Sequence, residues 1–312
     1  MPAIVTHYLF ACDVLASLPV DSRPVEDSSG LASVLSYSSF FWGAQGPDFL
    51  FFHRALPFWF GKSFRGVGTA LHHCDPDRLF SAFLGNLRAE SDDNVRKKGL
   101  WYAYGFLCHY ALDSTAHPWI IAKALELSGG QGGRAAQLTH NLAEHALDTI
   151  VLEQKRGITP DRFSWVEVMP KDEVAICTQA HLMERVIPAT LPGVAPPFRA
   201  LVEAFEDSIR AARLLQDPRG GKRRFFSRLE RVLRIGPALS GLILPTTAEK
   251  DVYAYLHGDA AATLPHCFDE IYDMALDTAC RLIWNFGNAM TAESNFSTGG
   301  RLFSDGTIYH EE

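Results

Sequence analysis

Imidazole and carboxylate side chains recur at four-residue intervals in two stretches of this chain. One reads His109-Tyr-Ala-Leu-Asp113-Ser-Thr-Ala-His117-Pro and the other His140-Asn-Leu-Ala-Glu144. Residues four apart on an α-helix lie one above the other. His109, Asp113 and His117 therefore project from one helix face, and His140 and Glu144 from a second. His7, Asp48 and His72 precede them in the same ordered series. Such side chains at such spacing are what zinc and similar divalent ions take from helical bundles.

A single His–Glu or His–Asp pair at this spacing is more often a hydrogen-bonded pair than a metal site. Three such steps on two segments are harder to explain that way. The approach to His109 is also apolar and aromatic, through Trp101, Tyr102, Tyr104, Phe106, Leu107 and Cys108. Polar groups aimed into such a junction need partners, and a metal supplies one. The cluster, rather than any one member, reads as a metalloenzyme.

Helix-period runs dominate the rest, for example 174–190, 198–216, 222–235 and 265–290, and few stretches alternate strictly in the manner of strands. The expected fold class is all-α. With 312 residues, 47% of them hydrophobic, the core is ample. The expected organisation is one helical domain over 1–312 without internal repeat, in which 1–158 bears the metal and 159–312 packs against it. Cys12, Cys74, Cys108, Cys177, Cys267 and Cys280 contain no C-x-x-C pair and suit buried or reduced thiols. The N-terminus has no basic residue before its short apolar run, unlike a signal peptide, and no run reaches membrane-spanning length. A cytoplasmic location is the expectation.

Other features have plainer readings. Phe49-Leu50-Phe51-Phe52 and Phe58-Trp59-Phe60 read as core rather than as walls of a lipid cleft. Asp269, Asp273 and Asp277 read as the solvent side of a helix whose other face is Phe268, Ile271, Met274 and Leu276. Gly-Gly-Gln-Gly-Gly at 129–133 lacks the Lys and Ser or Thr of a phosphate-cradling loop and reads as a connector. Prolines over 188–197 and the turn beginning at Asp217 are expected to separate helices. The segment from Lys222 through Arg223, Arg224, Phe225, Phe226, Arg228 and Arg231 to Arg234 is basic and amphipathic. It suits peripheral contact with anionic lipid or a solvated helix face equally well.

The ordered set resembles the bacterial zinc-dependent phospholipase C family, relatives of alpha-toxin and of single-strand-specific zinc nucleases. The carrying segments are Thr6-His7-Tyr8-Leu9-Phe10, Gly46-Pro47-Asp48-Phe49-Leu50-Phe51, Gly68-Thr69-Ala70-Leu71-His72, the run from Gly105 to Pro118, and His140 to Glu144. They span roughly residues 1–150. The resemblance implies a multi-helix fold with a metal cage between helices and two or three zinc ions. Asp48, His72, His109 and Asp113 would form one site, and His117, His140 and Glu144 a second. A third would share Asp113, add His7 and use the chain's first residue. Secreted members begin with tryptophan, whereas this chain begins Met1-Pro2; removal of Met1 would leave the Pro2 amine as that ligand. His73 adjoins His72, but helix neighbours diverge by about 100° and only one can face the same ion.

The implied activity is phosphodiester hydrolysis, best matched by a phospholipid headgroup bond, with Asp48 as proton acceptor. Glu144 at the last ligand position favours the phospholipase branch over the nucleases. A nuclease using the same cage, and a non-catalytic metal- or lipid-binding protein, are the alternatives. A formal net charge of -7 removes an extended basic groove for nucleic acid. It leaves room for a local excess of positive charge at the metals.

Overall fold

The computed structural model describes residues 4–19, 31–55, 61–130, 133–164, 168–217, 219–233, 240, 243 and 268–291. These residues are helical with no strand among them. Helices α1 (Ile4–Ser17) and α2 (Leu31–Ala44) lead into a 3-10 turn, Gly46–Phe52. Then come α3 (Arg65–His72), α4 (Pro76–Ala89), α5 (Asp93–Leu127) and α6 (Arg134–Arg156). The later helices are α7 (Glu173–Thr190), α8 (Phe198–Leu215), α9 (Gly221–Leu233) and α10 (Phe268–Thr291). Among the described residues all four helix-period runs named above are helical, with 174–190 and 198–216 matching α7 and α8 to within one residue at each end, and residues 234–235 and 265–267 lie outside the described residues.

Local chemistry sets several starts and stops. Asp75 precedes Pro76 and accepts the Asp77 N–H at 3.0 Å, which caps α4. The Asp92 carboxylate accepts from Asn94 and Val95 N–H and caps α5, and Asp172 does the same for α7 through Ala175. Gly157, left-handed at φ 63°, ends α6.

Helix α5, 35 residues long, is the axis, with α1, α2, α4, α6, α7 and α10 packed around it. Tyr102, Phe106, Leu107 and Cys108 on α5 are buried against Phe40, Phe80, Phe83 and Phe286 from its neighbours. The crossing of α2 on α5 is a backbone-to-backbone contact. A methyl group on Gly105 would lie 2.0 Å from the Phe40 carbonyl oxygen, and one on Gly43 would lie 2.1 Å from that of Tyr102. Only glycine fits at either place.

Some expectations need correction. The proline-rich stretch over 188–197 does separate α7 from α8, although Pro188 itself lies inside α7, which continues to Thr190. Met274 is exposed rather than packed with Phe268 and Ile271. Asp269, Asp273 and Asp277 do face solvent. Phe49, Leu50 and Phe52 are buried, whereas Phe58, Trp59 and Phe60 lie outside the described residues. Cys12, Cys74, Cys108, Cys177 and Cys280 are free thiols, and Cys267 lies outside the described residues. No helix among the described residues is long and apolar enough to cross a membrane.

Candidate metal centre

Five elements bring all eight series residues together. His7 comes from α1, Asp48 from the 3-10 turn and His72 from the last residue of α3. His109, Asp113 and His117 come from successive turns of α5, and His140 and Glu144 from α6. Three groups each offer ligand atoms within 4.8 Å of one another and can hold a metal ion: His7, His109 and Asp113; Asp48, His72 and His109; and His117, His140 and Glu144.

Asp113 joins these groups. Its Oδ1 lies 3.1 Å from His7 Nε2 and 3.8 Å from His117 Nε2. Its Oδ2 lies 3.2 Å from His109 Nε2 and 3.7 Å from His72 Nε2. One carboxylate thus faces four imidazoles. Asp48 Oδ1 is 3.1 Å from His72 Nε2, and Glu144 Oε1 is 3.0 Å from His140 Nε2 and 3.6 Å from His117 Nε2. His109 lies within reach of two groups rather than the single one that the resemblance implies.

The donor set fits a cation. His109 is buried with neither ring nitrogen hydrogen-bonded among the described residues, although Nε2 faces the Asp113 carboxylate. The His7 ring stacks on that of His109 with centroids 4.3 Å apart, and its Nδ1 is likewise buried without a hydrogen bond. Buried imidazoles with lone pairs turned towards carboxylates are unsatisfied until a positive ion sits between them. The Gly68 carbonyl, 2.8 Å from His72 Nδ1, can only accept. It therefore fixes the ring proton on Nδ1 and leaves Nε2 for a ligand.

Electrostatics follow the same division. Burial opposes ionisation of Asp113, but His117, His109 and His7 outweigh it and hold its pKa well below the ordinary value. Burial likewise opposes ionisation of Asp48 and Glu144, and their histidine partners lower both. Burial disfavours the His72 cation, yet Asp48 raises its pKa to about 9. Attraction to Asp113 brings His117 to about 9 as well. His7 is raised against its burial by Asp113, whereas burial dominates at His109 and lowers it. The carboxylates are thus held ionised at neutral pH, the form in which they ligate a divalent ion.

Two supports escaped the sequence reading. Asp148, buried one turn beyond Glu144, accepts Thr6 N–H and Thr6 Oγ1–H at 2.7 Å each and Val5 N–H at 3.2 Å. It ties the first turn of α1, and with it His7, to α6. Burial pushes its pKa up to about 7 against those hydrogen bonds. Its only sequence signal was continuation of the His140, Glu144 spacing by one more step.

The other support is α8. Phe49 stacks on Phe205 with centroids 4.0 Å apart, and Ser208 Oγ donates to the Phe49 carbonyl at 3.0 Å. Asp207 accepts the Arg54 N–H at 3.0 Å, and the Arg54 guanidinium pairs with Glu203 at 2.9 Å. Gly46, at φ 51°, passes so close to His109 that a methyl group there would sit 2.2 Å from the ring. These contacts set the 3-10 turn that presents Asp48.

His73 is exposed, so the neighbour pair divides as expected from helix geometry. His53 is buried and accepts the Phe64 N–H at 3.0 Å, a structural role. Met1 and Pro2, and with them the proposed terminal amine ligand, lie outside the described residues.

No curated protein and no solved structure gives a significant match. The family model described as zinc dependent phospholipase C matches residues 6–189, more than half of the chain and all eight of these residues. Together with the metal-competent groups, that match supports zinc as the metal and a phospholipase-type hydrolytic function. The chain belongs to the zinc-dependent phospholipase C family.

Proposed function

We propose that His7, Asp48, His72, His109, Asp113, His117, His140 and Glu144 hold two or three zinc ions, and that the protein hydrolyses the headgroup phosphodiester bond of a phospholipid. The observation that carries this reading is the placement of Asp113 among four imidazoles within a family that depends on zinc. Zinc bound there supplies Lewis acidity, which lowers the pKa of water and draws in phosphoryl oxygens. Asp113, which faces all of these imidazoles but that of His140, would be shared between neighbouring ions. Asp48, on the 3-10 turn and held ionised, accepts the proton from the attacking water. The remaining imidazoles and Glu144 would complete the ligand set.

The test is metal analysis of the purified chain together with turnover on a panel that includes phosphatidylcholine, other glycerophospholipids and single-stranded DNA. Two or more zinc ions per chain and turnover confined to the phospholipids are expected. Zinc-loaded protein that cleaves only the nucleic acid would refute the substrate assignment, and a chain that binds no zinc would refute the centre.

A further inference from the structure

Helix α9 presents its apolar stripe to solvent. Phe225, Leu229 and Val232 follow one another at steps of four and three, and they are 62%, 42% and 77% exposed. Leu233 continues the stripe and is also exposed. At about 100° per residue, Glu230 points roughly 140° away from Phe225 and 160° away from Val232. It is that acidic residue which is buried, accepting the Ser240 N–H at 3.1 Å and the Ser240 hydroxyl. No α9 residue belongs to the apolar core among the described residues.

Basic residues edge the stripe. Arg228 flanks it directly and Arg224 and Arg231 lie just beyond on the same side, while Lys222 stands in line with the stripe at its first turn, all of them exposed. In a chain with a net charge of -7 this is a local reversal of sign. The helix is fixed at its start: Lys222 Nζ donates to the Leu214 and Gln216 carbonyls at 2.8 and 2.9 Å, and Asp217 accepts the Arg223 N–H at 2.8 Å. The outward stripe is therefore set by the fold.

We propose that α9 docks the protein on an anionic phospholipid surface, with Phe225, Leu229, Val232 and Leu233 in the acyl boundary and the flanking cations at the headgroups. An exposed apolar face bordered by Lys and Arg is what an interfacial helix requires. Charge complementarity selects this occupant over a second copy of the chain. Two copies meeting antiparallel through this face would bring arginines against arginines, and the face is a single helix of 13 residues, whereas a stable interface takes roughly 20–30 residues a side. Docking stands apart from the proposed hydrolysis: α9 lies beyond the residues matched by the family model and contributes nothing to the metal centre.

The experiment is flotation of the full-length chain with vesicles of phosphatidylcholine alone or mixed with phosphatidylserine. The chain should float with the mixed vesicles, less so as salt rises. Phe225→Ser with Leu229→Ser should weaken partition about 10-fold or more. Arg224→Gln with Arg228→Gln should weaken it by a similar ~10-fold on the mixed vesicles only. Both pairs are exposed, so melting temperatures should hold; if the serine pair fails to fold, the glutamine pair tests the same face with its apolar stripe intact. A wild-type chain that ignores anionic vesicles overturns the proposal. So does partition that neither pair alters, or a dimer that the serine pair dissolves in a chain that does not bind vesicles.

Discussion

Asp113 and Asp48 face the same centre but are held in opposite ways. Asp113 sits in the middle of α5, with His109 one turn before it and His117 one turn after. Its place follows from helical repeat and needs only that α5 be a helix. Asp48 sits in a 3-10 turn opened by a left-handed glycine, and that turn is seated on α8 through Phe205, Asp207 and Ser208. The first residue belongs to a locally determined wall, the second to a wall placed by tertiary contacts. Helix α8 also lies beyond the family-matched residues 6–189, so one wall depends on a part of the chain that the family signature does not cover. Contacts that set Asp48 can therefore change without altering the histidine series.

The largest effect should come from breaking the local wall at its shared residue. Asp113→Asn removes a negative charge facing four imidazoles, and it should lower both zinc content and turnover, the latter about 100-fold or more. Asp48→Asn should leave more of the zinc in place while removing the proton acceptor, for a loss of turnover on the order of 100-fold. Zinc analysis beside steady-state rates separates the two. Equal and small losses from both would contradict the assigned division of roles.

That same contrast explains what the sequence reveals and what it hides. The α5 and α6 residues are legible because helical period converts spacing directly into direction, and His109, Asp113 and His117 need no knowledge of the rest of the fold. The later helices are legible for the same reason. His7, Asp48 and His72 enter only by their order along the chain, since nothing in their immediate surroundings states which way they face. Asp148 is hidden because its partners, the Val5 and Thr6 N–H groups and the Thr6 hydroxyl, lie 142 and 143 residues away in sequence, and only the fold brings them to it. The seat formed by α8 is hidden too: Phe205 and Ser208 look like ordinary members of an amphipathic helix until Phe49 is found against them. The exposed stripe of α9 is present in the sequence as a pattern, but periodicity alone does not say which face of a helix is turned to the core.

The seat itself offers an intermediate effect. Phe205 is fully buried between Phe49 and Trp42. Phe205→Ala should cost about 3–5 kcal/mol of stability, read as a lowered melting temperature, and should reduce turnover at temperatures where the protein remains folded. Ser208→Ala, which removes the bond to the Phe49 carbonyl, should cost about 1 kcal/mol. In both variants zinc bound by the α5 and α6 residues should be largely retained, because neither change touches those helices. If Phe205→Ala empties the centre of zinc as fully as Asp113→Asn does, the two walls are not separable in the way described.

The smallest effect belongs to Glu203, at the rim of the seat. Its carboxylate takes the Arg54 guanidinium at 2.9 Å, with Arg199 at 3.3 Å on its other side, and is 30% exposed. The hydrogen bond from Arg54 is the main reason that its pKa lies below the ordinary value. A depressed carboxylate adds stability that is present above the unfolded pKa and is lost as pH falls through the folded one. Glu203→Gln keeps the shape and removes the charge. Solvent screening limits the pair to about 1 kcal/mol or less, so the variant should melt slightly below wild type at pH 7. The gap should close between about pH 5 and pH 3. Melts of both proteins in chelator isolate this from acid release of zinc. A gap that stays constant to the acid limit would mean that Glu203 acts through packing rather than charge, and the electrostatic part of the Asp48 seat would have to be assigned to Asp207 and its bond to the Arg54 N–H.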